Sequence, residues 1–311
     1  MVLYVLLRRP YLTRLSSSVT GCSSGIGKAL AQHIASYPSL RLVATARRVA
    51  SLAYLAESEN ILKLALDVTS TESVDGAVAA ALAKWGRLDV VVNNAGYTLQ
   101  GDTENANEED ARRVVETDYW GTVRVTKHAM RILREENAKA AAGGRQGGVI
   151  MNVTSMGGRL AFPGNAFYHS SKFAVEGFTE AVSKEVRPAW DMHFCLVEPG
   201  GVKTNYATSS LQAIPVHPAY AGPDMPTRVL EAYIASPEMT QNWADPAAIA
   251  AAMYEVVARG QVIPLRLPLG PDAWGMLKAE VAKIDEALEE TKEIAHRVGK
   301  TGQLESIDFL R

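Results

Sequence analysis

Residues 20–27 read Thr20-Gly21-Cys22-Ser23-Ser24-Gly25-Ile26-Gly27, and a stretch with helical periodicity follows them to Ser36. Glycines in such a turn let backbone N–H groups approach a ligand closely, and the helix that begins there points its positive dipole end at the same place. The octet therefore predicts a phosphate-bearing ligand at the junction between a strand and a helix.

The same octet allows two other interpretations. Gly21-x-Ser23-x-Gly25 matches the nucleophile elbow of α/β-hydrolases, in which Ser23 would be the nucleophile and His193 or His296 the base. Such an elbow normally follows several strands, whereas this one opens the fold. A phosphate loop of the NTPase type needs Gly-Lys followed by Ser or Thr; Gly27-Lys28-Ala29 departs from that pattern, and we discard it.

Beyond the octet, short aliphatic runs alternate with amphipathic stretches of helical length. The predicted strands are residues 42–45, 62–66, 90–92, 148–153 and 193–197. The predicted helices are residues 27–36, 71–85, 108–135 and 166–186. This alternation with right-handed crossovers predicts an α/β fold, a doubly wound parallel sheet in one domain over residues 19–270.

Composition limits the classes of partner. The 311 residues are 47% hydrophobic and carry a net charge of −2, so neither nucleic acid nor an anionic membrane is an expected partner. Cys22 and Cys195 lack metal-ligand spacing and fit a reducing compartment, so we expect no metal site and a cytoplasmic protein.

The amino terminus is unusual for this fold. Its apolar run is too short to span a bilayer and precedes Arg8-Arg9-Pro10, so it is neither a membrane span nor a secretory signal. Ser16-Ser17-Ser18 is unfavourable for a central strand, which should be aliphatic. Residues 2–7 resemble that strand better. We therefore expect residues 1–18 to be an extension and suspect an insertion between strand and turn.

The region after Val202 changes character. Dense prolines over residues 204–245 predict an ordered flap. The flap's large side chains are mostly apolar, which favours an apolar or aromatic substrate: Tyr206, Leu211, Ile214, Tyr220, Met225, Leu230 and Met239. A helix over residues 247–259 follows. Residues 271–311 form a helical tail, expected to pack on the domain through residues 274–298; a dimerising coil would be too short to prefer.

Tyr168 and Lys172 lie four residues apart on a predicted helix, which places a phenol beside an ammonium group. A lysine cation at ~4 Å, with an effective dielectric of ~20, stabilises a phenolate by roughly 4 kcal/mol, or about three pKa units. The pair therefore predicts an acid/base device that operates near neutral pH, with Ser155 just upstream.

The ordered motifs resemble the short-chain dehydrogenase/reductase family from residue 19 to about residue 269. The resemblance rests on the octet, Asp67-Val68, Asn93-Asn94-Ala95-Gly96, Ser155, Tyr168-x-x-x-Lys172, and Glu198-Pro199-Gly200-Gly201-Val202-Lys203-Thr204. The octet and Ser171-Lys172-Phe173-Ala174-Val175-Glu176-Gly177 look most like hydroxysteroid and retinoid dehydrogenases and their fungal relatives. The resemblance implies a Rossmann fold that binds a nicotinamide dinucleotide and interconverts a carbonyl and an alcohol.

The resemblance also implies roles for residues. Tyr168 would be the acid/base group, Ser155 would hold the substrate oxygen, and Lys172 would bind the nicotinamide ribose. The implied cofactor contacts are Gly21, Ser23, Ser24, Gly25, Ile26, Gly27, Arg47, Asp67, Val68, Asn94, Ala95, Gly96, Tyr168, Lys172, Pro199, Gly200, Val202 and Thr204.

Cofactor choice depends on Thr45-Ala46-Arg47-Arg48, at the end of the second strand. An acidic residue there would hold the ribose 2′-hydroxyl of NAD, whereas a guanidinium suits the 2′-phosphate of NADP. No acidic residue occurs before Glu57. Arg47 is therefore the expected anchor for NADP, and Arg48 is either a helper or a solvated surface charge.

Asp118 departs from the family, which usually has an asparagine there whose backbone carbonyl holds a water linked to the lysine. Because the backbone carbonyl holds the water, aspartate can replace asparagine, and we expect Asp118 to be part of the catalytic site and to reduce turnover modestly. A partly buried carboxylate must be paired with a positive charge or become protonated. The resemblance further implies a homodimer or homotetramer through residues 108–135 and 166–186. Three alternatives stay open: the hydrolase through Ser23, another NADP-assisted step such as isomerisation or cyclisation, and a nonenzymatic NADP-binding regulator that Asp118 makes inactive.

Overall fold

The aliphatic runs form parallel strands, as expected for strands that are covered on both faces. A computed structural model describes residues 15–140, 146–204, 210–300 and 302–310. Its strands are β1 (Ser16–Val19), β2 (Arg41–Ala46), β3 (Ile61–Ala65), β4 (Val90–Asn93), β5 (Thr98–Gln100), β6 (Gly148–Val153), β7 (Met192–Pro199), β8 (Leu211–Ala213) and β9 (Arg266–Leu269). The main sheet has the order β3-β2-β1-β4-β6-β7-β9, with parallel pairs throughout, which confirms the doubly wound fold.

Helices cover both faces of this sheet. They are α1 (Gly25–Ala35), α2 (Thr71–Trp85), α3 (Glu108–Val115), α4 (Gly121–Arg131), α5 (Asn137–Lys139), α6 (Ala166–Glu185), α7 (Pro226–Ala235), α8 (Pro237–Thr240), α9 (Pro246–Ala258), α10 (Pro271–Arg297) and α11 (Gln303–Ser306). The helix predicted over residues 108–135 is present as one continuous helical segment from α3 to α5, and it contains π-helical turns at Glu116–Trp120 and Ile132–Glu136 that the sequence did not predict. Such turns insert an extra residue and often lie at functional sites.

The first strand corrects the expectation for the amino terminus. The serine-rich segment itself forms β1, with Ser17 opposite both Leu42 and Val90. Backbone hydrogen bonds from two flanking strands hold it despite its polar side chains. The cost is loose packing, because Ser17 lines a cavity of about 30 Å³. Residues 2–7, the alternative strand, lie outside the described residues.

Two apolar layers sandwich the sheet. On one face Leu42 and Val92 pack with Leu30 of α1 and Met253 of α9. On the other face Val43, Val91 and Ile150 pack with side chains of α2, α4 and α6. Neighbouring strand residues alternate between these layers, as the period of two requires. The carboxyl ends of the strands are left free to carry a site.

The flap contributes one strand to a second, two-stranded sheet, which the sequence did not predict. Its strand β8 pairs in parallel with β5, and Ile214 packs into a small core with Leu99 and Val114. The buried Asp102 carboxylate pairs with Arg228 of α7 at 3.0 Å and accepts a hydrogen bond from the His217 N–H at 3.0 Å. Tyr206 lies outside the described residues.

The carboxyl-terminal tail departs from its expected packing. Helix α10 is anchored at its start, where Ala273 is buried and the Asp272 carboxylate accepts a hydrogen bond from the Gly201 N–H at 2.7 Å. From Val281 onward every residue of the helix is exposed, and Leu288 keeps 62% of its surface. The expectation of a packed tail is wrong, because no described element lies opposite the apolar positions of its outer half.

Candidate active site

The glycine turn lies at the carboxyl end of β1 and approaches the β4 turn closely. Gly21 has φ of 71°, and a Cβ atom there would lie 2.9 Å from the Ala95 Cα. The Thr20 hydroxyl accepts hydrogen bonds from the N–H groups of Asn94 and Ala95 at 2.9 and 3.0 Å. The Asn94 amide donates to the Thr20 carbonyl at 3.0 Å. The structure therefore shows Asn94 and Ala95 bracing the turn; Gly96 beside them is exposed.

The amino terminus of α1 fits an anion. Gly25 has φ of 55°, and a Cβ atom there would lie 3.2 Å from the Thr204 side chain, so the two turns face each other closely. Ser24, the residue before the helix, makes no side-chain cap to it in the described structure. The binding of a phosphate at the first N–H groups of this helix, including those of Ile26 and Gly27, stays a prediction of the sequence.

Arg47, Asp67 and Val68 lie at the ends of the next two strands. Arg47 and Arg48 are exposed directly after β2. Burial alone would raise the pKa of Asp67, but hydrogen bonds from Thr69 and the positive charge of Arg47 hold it below its usual value. Arg47 therefore lies near Asp67, and Val68 is buried beside them. Sequence reasoning had named these residues separately, and the fold brings them to one edge.

The turn after β7 is held by the tail. Pro199 ends the strand opposite Leu269, and the Gly200 N–H donates to the Leu269 carbonyl at 3.0 Å. A Cβ atom at Gly200 would collide with the carboxylate of Asp272. Val202 is buried and bridges to Ala244. Sequence reasoning missed Asp272. The one sequence feature that could have indicated it is an acidic residue in the first turn of a helix that follows Gly270.

Ser155, Tyr168 and Lys172 lie close together in the structure. Ser155 follows β6, and its hydroxyl accepts a hydrogen bond from the Gly157 N–H at 3.0 Å. The Lys172 ammonium lies 5.6 Å from the centroid of the Tyr168 ring and donates to the Val153 carbonyl at 3.2 Å. Lys172 is 7% exposed, so its charge acts in a poorly hydrated place.

The charge state of Tyr168 differs from the sequence-based expectation. Burial and the negative charge of Asp118 raise the pKa of Tyr168 above its ordinary value, and a hydrogen bond with Ser155 only partly opposes them. The expected lowering toward neutrality is therefore wrong for this arrangement. The Lys172 ammonium is 3.5 Å from the Asp118 carboxylate, whose negative charge offsets much of the stabilisation that Lys172 would give a Tyr168 phenolate.

Asp118 lies beneath the site in the π-helical turn. It is fully buried, its Oδ1 atom accepts a hydrogen bond from the Tyr97 N–H at 3.0 Å, and its backbone carbonyl accepts one from the Thr122 hydroxyl at 2.8 Å. Burial raises the pKa of the Asp118 carboxyl, whereas Lys172 and the Tyr97 N–H lower it. The carboxylate thus has the partner that the sequence analysis required. Tyr97 was missed, although it directly follows the Asn-Asn-Ala-Gly motif.

The described residues do not place a histidine base beside Ser23, as the hydrolase alternative would require. Ser23 is exposed, and its hydroxyl makes no hydrogen bond to any residue that the structure describes. His193 lies at the opposite, amino end of β7, where it contacts Asp191 at 2.9 Å. His296 bonds to the Lys292 carbonyl on the exposed tail. A base for Ser23 is therefore lacking among the described histidines.

No helix in the described part of the chain is long and apolar enough to cross a membrane.

The chain is similar in sequence to known proteins. A family model described as short chain dehydrogenase matches residues 17–214. The chain is 46% identical to "Oxidoreductase calM" of Penicillium decumbens over 281 residues, 89% of this chain and 90% of the relative. It is 32% identical to the 3-ketodihydrosphingosine reductase of Bacteroides thetaiotaomicron over 257 residues, 81% of this chain and 87% of that protein.

A solved structure agrees with the sequence relatives. The crystal structure of a short-chain dehydrogenase from Streptomyces avermitilis has a TM-score of 0.79 and 30% identity, and the match covers 92% of this chain and all of that one. The chain therefore belongs to the short-chain dehydrogenase/reductase family of oxidoreductases.

Proposed function

We propose that the protein interconverts a ketone or aldehyde and an alcohol with NADP as its cofactor. The observation that carries the proposal is the convergence of Ser155, Tyr168 and Lys172. The bound nicotinamide would exchange a hydride with the substrate carbon. Tyr168 would exchange a proton with the substrate oxygen, Ser155 would hold that oxygen, and Lys172 would orient the ribose.

The charge state of Tyr168 supports one direction over the other. Because its pKa is raised, the phenol keeps its proton at neutral pH. A protonated phenol donates to the oxygen of a carbonyl, whereas oxidation of an alcohol needs the phenolate. We therefore propose carbonyl reduction as the favoured direction, with Asp118 and Lys172 setting the tyrosine's acidity.

Arg47 supports NADP over NAD. Arg47 is exposed at the end of β2, the place where this fold contacts the adenosine ribose. A guanidinium there can bind the 2′-phosphate by charge-assisted hydrogen bonds. No acidic residue stands between Arg47 and Glu57 to hold a 2′-hydroxyl.

The flap supports an apolar or aromatic substrate. Leu211, Tyr220, Met225 and Leu230 are half-buried there, although Ile214 serves the flap's own core. The Bacteroides relative is named as a reductase of a 3-keto compound, which fits a ketone substrate.

Exposed apolar side chains support an assembly. Trp120, next to α4, and Phe173, on α6, keep 47% and 45% of their surfaces. They lie on the two segments through which we propose a homodimer or homotetramer. A cytoplasmic location remains part of the proposal.

The test is to incubate the purified protein with NADPH and a panel of ketones and aldehydes, following the absorbance of the reduced nicotinamide. Tyr168→Phe and Ser23→Ala are measured in parallel. We expect the tyrosine variant to lose turnover, and the serine variant to keep kcat at saturating NADPH while its KM for NADPH rises, since Ser23 is an implied cofactor contact. Tighter binding of NADPH than of NADH is expected in the same preparation.

Other outcomes would favour the alternatives. Hydrolysis of esters that Ser23→Ala abolishes would overturn the proposal in favour of a hydrolase. Cofactor binding without turnover on any carbonyl would favour a regulator, and product formation without net oxidation of NADPH would favour an isomerase.

A further inference from the structure

His169, next to Tyr168 on α6, has both ring nitrogens engaged. It is 5% exposed. Its Nδ1 atom lies 2.7 Å from the Gly157 carbonyl oxygen, and its Nε2 atom lies 3.0 Å from the Phe162 backbone nitrogen. Both partners belong to the loop that runs from Ser155 to the start of α6.

These two partners determine the tautomer. A carbonyl oxygen can only accept a hydrogen bond, so Nδ1 must carry the proton; a backbone N–H can only donate, so Nε2 must be the acceptor. His169 is therefore a neutral imidazole. Burial lowers its pKa, which keeps the ring in that form.

Gly157 connects His169 to Ser155. Its carbonyl accepts from the histidine, and its N–H donates to the Ser155 hydroxyl at 3.0 Å. The approach is close, because a Cβ atom at Gly157 would lie 2.6 Å from the imidazole ring. The Ser155 hydroxyl is thus held, through one glycine, by the helix that carries Tyr168.

The second bond holds another part of the loop. The half-buried Phe162 ring lies 5.6 Å from the His169 ring, centroid to centroid. The Tyr168 ring lies 5.5 Å from the same imidazole, centroid to centroid, so the Phe162 and Tyr168 rings both neighbour His169. The backbone position of Phe162 depends on the Nε2 atom of His169.

We propose that His169 is a positioning residue with two separable effects: its Nδ1 side places Ser155 for the chemical step, and its Nε2 side places Phe162 for substrate binding. The inference rests on the proposed carbonyl reduction. It adds to that reaction a residue that touches neither substrate nor cofactor.

Two variants separate the two bonds. The amide of His169→Asn can reproduce the Nδ1 donor but does not reach the Nε2 position, whereas the amide oxygen of His169→Gln can reproduce the Nε2 acceptor. We expect His169→Gln to lower kcat about tenfold with KM nearly unchanged, and His169→Asn to raise KM about fivefold with kcat nearly unchanged, which is the scale of one lost hydrogen bond. The control is Ser170→Ala, whose exposed hydroxyl bonds only within the helix.

Hydrogen exchange without substrate tests the same inference independently of turnover. The Phe162 amide should exchange faster in His169→Asn and keep its protection in His169→Gln, and the Gly157 amide should show the reverse. Equal losses of kcat in both variants, or equal exchange at both amides, would overturn the inference. If the unaltered protein turns over no carbonyl, the proposed function fails, and the exchange pattern still decides whether His169 holds the loop.

Discussion

Replacing Asp118 with asparagine removes a buried negative charge near Tyr168. The carboxylate lies 3.5 Å from the Lys172 ammonium, which lies 5.6 Å from the Tyr168 ring centroid. These distances place the carboxylate oxygen no farther than about 9 Å from the ring. Asparagine keeps an oxygen that can accept from the Tyr97 N–H, so the helix should keep its shape.

The size of the effect follows from this distance. With an effective dielectric of ~20, two unit charges about 9 Å apart repel by about 1.8 kcal/mol. That repulsion opposes the phenolate and equals about 1.3 pKa units. We therefore expect Asp118→Asn to lower the pKa of Tyr168 by at least about one unit. Turnover should persist, because the backbone carbonyl of residue 118 is unchanged.

The assay is the pH dependence of kcat for oxidation of an alcohol. Oxidation needs the phenolate, so the rate rises as pH passes the tyrosine pKa, and the variant's midpoint should move to lower pH. Glu108→Gln, which removes an exposed carboxylate, controls for net charge, and Tyr168→Phe sets the floor. A midpoint that moves no more than in Glu108→Gln, or a kcat at the Tyr168→Phe level, would refute the reasoning.

Three further predictions concern the cofactor, the core and the flap. Arg47→Gln should raise KM for NADP by roughly tenfold to a hundredfold, the value of a charged hydrogen bond, and leave KM for NAD nearly unchanged; Arg48→Gln is the matched control, and an equal rise for both cofactors would contradict the assignment. Ser17→Val should fill part of the apolar cavity of about 30 Å³. Its free energy of unfolding in urea should rise by about 0.7 kcal/mol at most, whereas a decrease would show that the strand cannot accept the methyl groups. Asp102→Asn should remove the buried partner of Arg228, leave only the more exposed Glu231 beside it, and lower the free energy of unfolding by about 3 kcal/mol. Glu231→Gln should lower the free energy of unfolding much less, because Glu231 is the more exposed partner; similar losses would mean that the flap is held elsewhere.

Local signals in the sequence predicted most of the fold. Hydrophobic periodicity placed β6 at Gly148–Val153 and α2 at Thr71–Trp85 with the bounds that the structure shows. Periodicity succeeds there because each segment carries its own pattern of apolar residues. Periodicity failed for β1, because hydrogen bonds to strands distant in sequence stabilise three serines that local preference disfavours. It also missed β5, β8 and β9, which are only three or four residues long and pair with strands distant in the sequence.

The sequence by itself determined the family, the sheet and the meeting of Ser155, Tyr168 and Lys172, because turn chemistry and ordered spacing are local properties of the chain. Only the tertiary structure decided the electrostatics of that site. The acidity of Tyr168 depends on burial and on Asp118, fifty positions away in the chain, and the Lys172 charge is divided between them. The role of His169 likewise depends on which backbone atoms the loop brings to its ring. A pKa and a hydrogen-bond partner are properties of the neighbourhood in space, which spacing along the sequence does not specify.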